Sequence, residues 1–133
     1  PEIYFGYQYA RDGQLGNSEG YKEEEVISYK LPGLIKADKY YLEGMWRNRN
    51  DAMQLDSPTG KVQILFNAKN IYFVAGASEE VPVTVKLDGK VINNLIVKDF
   101  TLYNAVSLED YSEHILELEI KKPSFTIFTF TFG

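Results

Sequence analysis

The chain has 133 residues, enough for one domain that buries roughly two-thirds of the surface its unfolded form exposes. Its 14 basic and 19 acidic side chains leave a net charge of −5 without any basic run, which makes nucleic acid a poor partner. With no cysteine and a single histidine, disulfides, thiol chemistry, zinc fingers and any Ser-His-Asp triad not built on His114 are excluded.

Val, Ile, Thr, Tyr, Phe and Trp make up 44 of the 133 residues and Ala only seven, a balance that favours pleated, half-buried surfaces. Alternation is then followed from the N-terminus. Ile3, Phe5, Tyr7 and Tyr9 share one face of an expected first strand, and Arg11–Gly20 has loop composition. A second strand is expected near Glu25–Leu31, stopped by Pro32-Gly33, and a third over Lys39–Asn48. Ala52–Leu55 is a short strand. Val62, Ile64 and Phe66 mark the next, Asn67–Asn70 reads as a turn, and Ile71–Ala75 returns as a doubly buried strand.

Val81–Leu87 alternates, with Pro82 pointing to an edge or a strand start. Asp88-Gly89 predicts a type I′ hairpin turn into Val91–Val97. Thr101–Val106 and Ile115–Ile120 follow, with Ser107-Leu108-Glu109-Asp110 able to cap one helical turn between them. In the last strand, Phe125 and Ile127 lie on one face, then Phe128, Phe130 and Phe132 on the other; these last three are expected in the core. A period of two that slips by one residue requires a bulge, placed at Ile127–Phe128. About ten short strands at this spacing predict an all-β fold, a two-sheet antiparallel jelly-roll sandwich, with a closed barrel as the alternative.

Chemistry is harder to find. His114 sits between Glu113 and Glu117 without a glycine-framed serine, the setting of a strand-edge residue. Alternation puts Glu117 and Glu119 on a solvated face, which argues against a glycosidase carboxylate pair. Asp12, Asn17 and Glu19 could contribute oxygens to a cation but lack the density of a calcium loop. No phosphate-cradling glycine pattern occurs. No catalytic residue, metal or cofactor is therefore expected. No apolar stretch approaches the ~20 residues needed to cross a bilayer as a helix. The run Lys22-Glu23-Glu24-Glu25 reads as a solvated loop or strand edge. The start at Pro1, without an initiator Met or signal pattern, suggests a processed protein or a single domain of a longer one.

The aromatics remain: ten Tyr, eight Phe and one Trp exceed what a core of this size requires. Met45-Trp46-Arg47-Asn48-Arg49-Asn50 gathers an aromatic, two Arg and two Asn at a strand end, and Tyr103-Asn104 offers a second pairing. A binding site is expected to use Trp46, Tyr7 and Tyr103 for stacking and Arg47 and Asn104 for hydrogen bonds. The competing reading makes Trp46 an anchor of the core.

Several short motifs occur in a recognisable order: Tyr4-x-Gly6-Tyr7-x-x-Ala10, Leu42-x-Gly44-x-Trp46, Phe66-x-Ala68-Lys69-Asn70 with Val74 and Gly76, Val85-x-Leu87-Asp88-Gly89, Leu102-Tyr103, and the terminal Phe128-x-Phe130-Thr131-Phe132-Gly133. Over essentially the whole chain this resembles the C-terminal domain appended to thioredoxin-like proteins, as in DipZ-type cytochrome c biogenesis and thiol–disulfide transport proteins. The resemblance implies a jelly roll like that of carbohydrate-binding modules, located extracytoplasmically (in the periplasm or at the cell surface) beside a thioredoxin domain that carries the redox cysteines. It supplies no ligand set. The chain departs from the pattern at Ile64-Leu65-Phe66, where relatives carry an aromatic-Arg-Phe run, at Tyr40 in place of Trp, and in the short Ile92-Asn93-Asn94-Leu95 after the hairpin turn. Two functions follow as expectations: a non-catalytic module binding a glycan or a substrate protein, or a docking or dimerisation domain that positions its own thioredoxin-like domain.

Overall fold

The structure is a computed structural model describing residues 2–133. Among the described residues nine strands run in chain order: β1 Glu2–Tyr4, β2 Val26–Tyr29, β3 Tyr40–Asn48, β4 Met53–Leu55, β5 Gly60–Gly76, β6 Val81–Leu87, β7 Lys90–Val97, β8 Thr101–Ile120 and β9 Thr126–Phe132. Among the described residues all pairings between these strands are antiparallel, Leu15–Tyr40 and Ala37–Leu65 adding isolated parallel bridges, and the fold is the all-β sandwich that the alternation predicts.

The sandwich arises from two long strands that bend. β5 pairs with β8 along its whole length on one edge, and with β3 and then β9 on the other. A straight 20-residue β8 would be about 65 Å long. Yet Val97 of β7 lies two strands from the Ile120 end of β8, and only three residues, spanning at most about 14 Å, separate it from Thr101 at the other end. The β5–β8 ribbon must therefore fold over, and it does so where the ladder breaks. Ala68 opposes Ser112 and Asn70 opposes Ser107, so β8 has three more residues than β5 within this step.

The first layer contains β2, β3, the first half of β5, the second half of β8, β6 and β7. The second contains β1, β9, the second half of β5 and the first half of β8. Short β4 pairs with both β3 and β9 and closes one side, which gives the sandwich a barrel-like seam.

The inward residues interdigitate between the layers. Tyr40, Leu42, Val62, Ile64, Leu116, Leu118, Val83 and Val85 of the first layer meet Ile3, Phe73, Phe130 and Ala105 of the second. Phe5 lies against Tyr40 with ring centroids 3.9 Å apart, and Phe125 meets Trp46 edge-on at 6.3 Å.

Several expectations need correction. The first strand ends at Tyr4, because Gly6 takes φ 103° and packs so closely on Asn50–Ala52 that a Cβ would come within 2.5 Å of the Asn50 carbonyl; Tyr7–Asp12 then forms a 3-10 helix. Asn67–Asn70 is the exposed corner of one continuous strand rather than a turn between two. Ser107–Asp110 is the matching bulged segment of β8, not a helical turn. Tyr72 and Val74 are half-exposed, so the Ile71–Ala75 run is buried on one face only.

The expected hairpin holds: Asp88 at φ 51° and Gly89 at φ 85° form the two-residue turn that Leu87↔Lys90 pairing closes. So does the bulge, since Val74 pairs with Thr129 and Ala75 with Ile127, leaving Phe128 as the extra residue. That extra residue turns outward, so of Phe128, Phe130 and Phe132 only Phe130 is fully buried.

Candidate functional site

The five residues expected to form a site are not brought together. Trp46 is 0% exposed, its indole N–H donating to the Glu43 carbonyl at 2.9 Å, so it presents no face to a ligand and anchors the core instead. Tyr103 faces inward, stacked on Phe73 at 5.5 Å, with its hydroxyl donating to the Asp99 carbonyl and accepting from the Lys98 N–H.

Tyr7 and Arg47 do share a place, where they fasten the loop before β2. The Tyr7 hydroxyl donates to one Glu24 carboxylate oxygen and the Arg49 guanidinium to the other, each at 3.0 Å, while Arg47 donates to the Glu24 carbonyl. The hydrogen bonds from Tyr7 and then Arg49 hold the Glu24 carboxyl below the usual carboxylate range. Glu24 itself sits at φ 59°, a left-handed conformation these contacts restrain. Asn104 stands apart on β8, exposed, its amide donating to Ser107 Oγ.

Asn17, considered above as a cation ligand, is buried and pegs backbone. Its amide N donates to the carbonyls of Leu42 and Lys30, and its oxygen accepts from the Leu42 N–H at 2.8 Å. The glutamates of β8 face outward as expected, in rows that run across the first layer. Tyr41, Gln63, Glu117 and Lys86 form one, and Glu43, Lys61, Glu119 and Thr84 the next. Gln63 donates to Glu117 at 2.7 Å, and Lys86 and Lys121 both engage Glu119, whose carboxyl those contacts lower to about 2. This outer face is polar and internally paired.

His114 has partners that the sequence did not reveal. Ser112 Oγ lies 2.7 Å from His114 Nε2, and His114 Nδ1 lies 2.6 Å from Asp88 Oδ2; the other Asp88 oxygen accepts from the Ile115 N–H. The residue types are those of a nucleophilic relay. Ser112 and His114 occupy one strand, however, and Asp88 belongs to the hairpin turn, so the chain of bonds fastens that turn to β8. The contact with His114 holds the Asp88 carboxyl below its ordinary value.

The second layer has the opposite outer face. Antiparallel partners project to the same side, so register alone aligns Tyr4, Thr129, Val74 and Leu102 across β1, β9, β5 and β8, with Glu2, Thr131, Tyr72 and Asn104 in the adjacent row. Tyr9 stacks on Tyr4 with centroids 4.8 Å apart, and Phe100 meets Phe128 edge-on at 6.0 Å. Leu102 is 53% and Phe100 63% exposed. Four strands and the loop before β8 thus display two tyrosines, two phenylalanines and two aliphatic side chains, bordered by Thr, Asn and Glu. Sequence reading found one member, Asn104, and missed Tyr4 and Tyr72, because which aromatics align depends on a register between strands distant in the chain.

These features define a β-sandwich with one paired polar face and one open aromatic face. A family model described as "Thioredoxin like C-terminal domain" matches residues 1–133, and the chain belongs to that family. No curated protein sequence matches it. Among solved structures, it is similar to a family two carbohydrate esterase from Cellvibrio japonicus (11% identity, TM-score 0.64, 81% of this chain and 32% of that one). It is also similar to a family two carbohydrate esterase from Clostridium thermocellum in complex with cellohexaose (17% identity, TM-score 0.57, 62% of this chain and 27% of that one). A family 35 carbohydrate binding module from Clostridium thermocellum aligns over 100% of this chain and 99% of its own, at 9% identity and TM-score 0.49. At these identities the likeness concerns the fold, and the chain spans about a third or less of the esterase structures.

Proposed function

We propose that this domain is a non-catalytic accessory module of a thiol–disulfide protein of the DipZ type, working outside the cytoplasm, and that it binds glycan chains on the outer face of its second layer. One observation carries the reading: the register-aligned rows put Tyr4, Tyr72, Leu102 and Val74 on one open sheet face with Thr129, Thr131 and Asn104 beside them. Sugar rings need this combination, an apolar plane against their C–H faces and amide or hydroxyl groups at the rim. The paired ion rows of the other layer lack such a plane.

A second reading is favoured by the position of β1. That strand is the outermost one of the aromatic face, so a domain preceding it in the parent chain emerges beside that face, and the patch would serve to seat the thioredoxin-like domain. Amide shifts in the 133-residue chain, titrated first with cell-wall glycan fragments and then with the parent's thioredoxin domain, separate the two. Shifts at Tyr4, Tyr72 and Leu102 with glycan, lost in Tyr72→Ala/Leu102→Ala, support the first reading. Shifts there only with the thioredoxin domain overturn it in favour of docking, and shifts elsewhere overturn both.

A further inference from the structure

We infer that the free edge of β8, between Thr101 and Ser112, takes up an extended basic peptide as an added strand. β8 is the last strand of the second layer. One of its edges is held by β5, but its pairing with β6 begins only at Leu116. Among the described residues no strand pairs with the remaining edge from Thr101 to Ser112; its straight part runs from Thr101 to Ser107, with one bulge at Ala105, before β8 bends between Ser107 and Ser112. Such an edge is a template for one more strand.

The surroundings specify the guest. The tip of the β6–β7 hairpin stands off from this edge and leaves a cleft of about 440 Å³ between the layers, lined by Leu87, Ile92 and Asn93 on one side and by Asn104, Val106 and Leu108 on the other. Its mixed wall suits an aliphatic side chain entering from a strand laid along β8. Charge supplies the rest. From Asp99 to Glu113 the chain carries Asp99, Glu109, Asp110 and Glu113 and no Lys or Arg. Of the nearby cations Lys86 is engaged with Glu119, while Lys90 at the hairpin tip and Lys98 flank the run outside it. A bound strand whose outward positions carry Lys or Arg would neutralise this run, whereas an acidic strand would be repelled. The guest is therefore an unfolded segment with alternating aliphatic and basic residues, recognised through its backbone. Asn104 borders both this cleft and the proposed glycan face; otherwise the two sites use different groups, projecting side chains there and the strand edge here.

The test is a heteronuclear NMR titration of the 133-residue chain at low salt with an acetylated Lys-Ile-Lys-Val-Lys-Ile-Lys peptide and with its Glu-for-Lys counterpart. The lysine peptide is expected to shift amides within 101–112 and to give interstrand contacts to β8, binding at least about tenfold more tightly than the glutamate peptide. Added salt should weaken it, since these charges are exposed. E109K/D110K changes only exposed side chains, so its fold is expected to be retained, and it should remove most of that preference. Ile92→Ser, which removes the apolar wall without adding charge, should weaken binding about tenfold through the cleft. Tyr72→Ala, on the glycan face, should leave peptide binding unchanged. Equal affinity for both peptides, no binding of either, or shifts confined to Tyr4 and Tyr72 would overturn the inference.

Discussion

The ring of Phe100 occupies the space that a side chain at Gly76 would fill: a Cβ there would lie 2.3 Å from the ring's Cγ. Gly76 is the last residue of β5, and its bareness lets Phe100 fold down beside Phe128 at the rim of the aromatic face. Gly76→Ala should therefore displace an exposed ring rather than break the core. We expect a stability loss of no more than about 1 kcal/mol by urea denaturation, together with loss of the Phe100–Phe128 ring-current shift and, on the proposed reading, weaker glycan binding.

Trp46 provides a direct check on the division between core and surface. It is the only tryptophan, so fluorescence excited at the red edge of its absorption, where the ten tyrosines do not absorb, reports on it alone. Its emission should be that of an apolar site and resist quenching by acrylamide, with or without ligand. Trp46→Ala should cost about 3–5 kcal/mol, measured as a shift of the denaturation midpoint, because it vacates the space against Phe125 and Leu55.

Asn17 tests the cost of a buried peg. Replacing it by Ala leaves the Leu42 N–H without its acceptor and the carbonyls of Leu42 and Lys30 without a donor. We expect Asn17→Ala to lose about 1–3 kcal/mol. Asn17→Asp should be worse, since a carboxylate would face two carbonyl oxygens. Calorimetric melting of the two variants ranks them.

Acid stability should depend on Glu119. Its folded carboxyl titrates at about 2 instead of 4.5, chiefly through Lys121 and Lys86. A lowered value means the contribution is fully present above about pH 4.5 and disappears as the pH falls toward 2. Glu119→Gln should flatten the fall of the urea midpoint across that window and leave the slope above pH 5 nearly unaltered.

How much of this was legible in the sequence depended on the range of the information. The Asp88-Gly89 turn and the slip at Phe128 are local, each written in a few adjacent residues whose backbone needs are unambiguous. The Asn67–Asn70 stretch was legible only in composition. Its polar residues mark an exposed bend, but whether the chain reverses there or continues is settled by its pairing with Ser107–Ser112, some forty residues away. Tyr72 was hidden because Ile71, Phe73 and Ala75 are apolar as well, so an exposed row looks like part of a doubly buried strand. Trp46 next to Arg47 resembles a binding loop in one dimension. In three, adjacent residues of a strand point to opposite sides, one into the core and one out to Glu24.

The β6–β7 hairpin lies inside the loop that the β5–β8 pairing must close, and this nesting imposes a sequence of events on folding. The hairpin closes over two residues, whereas Gly76 and Thr101 can meet only after the intervening 24 residues have compacted. Once the hairpin forms, its own pairing brings the start of β8 toward the end of β5 and shortens the remaining search. Substitutions at Gly89 should therefore slow folding more than they speed unfolding, while changes at the Ala68–Asn70 bend should act mainly on unfolding.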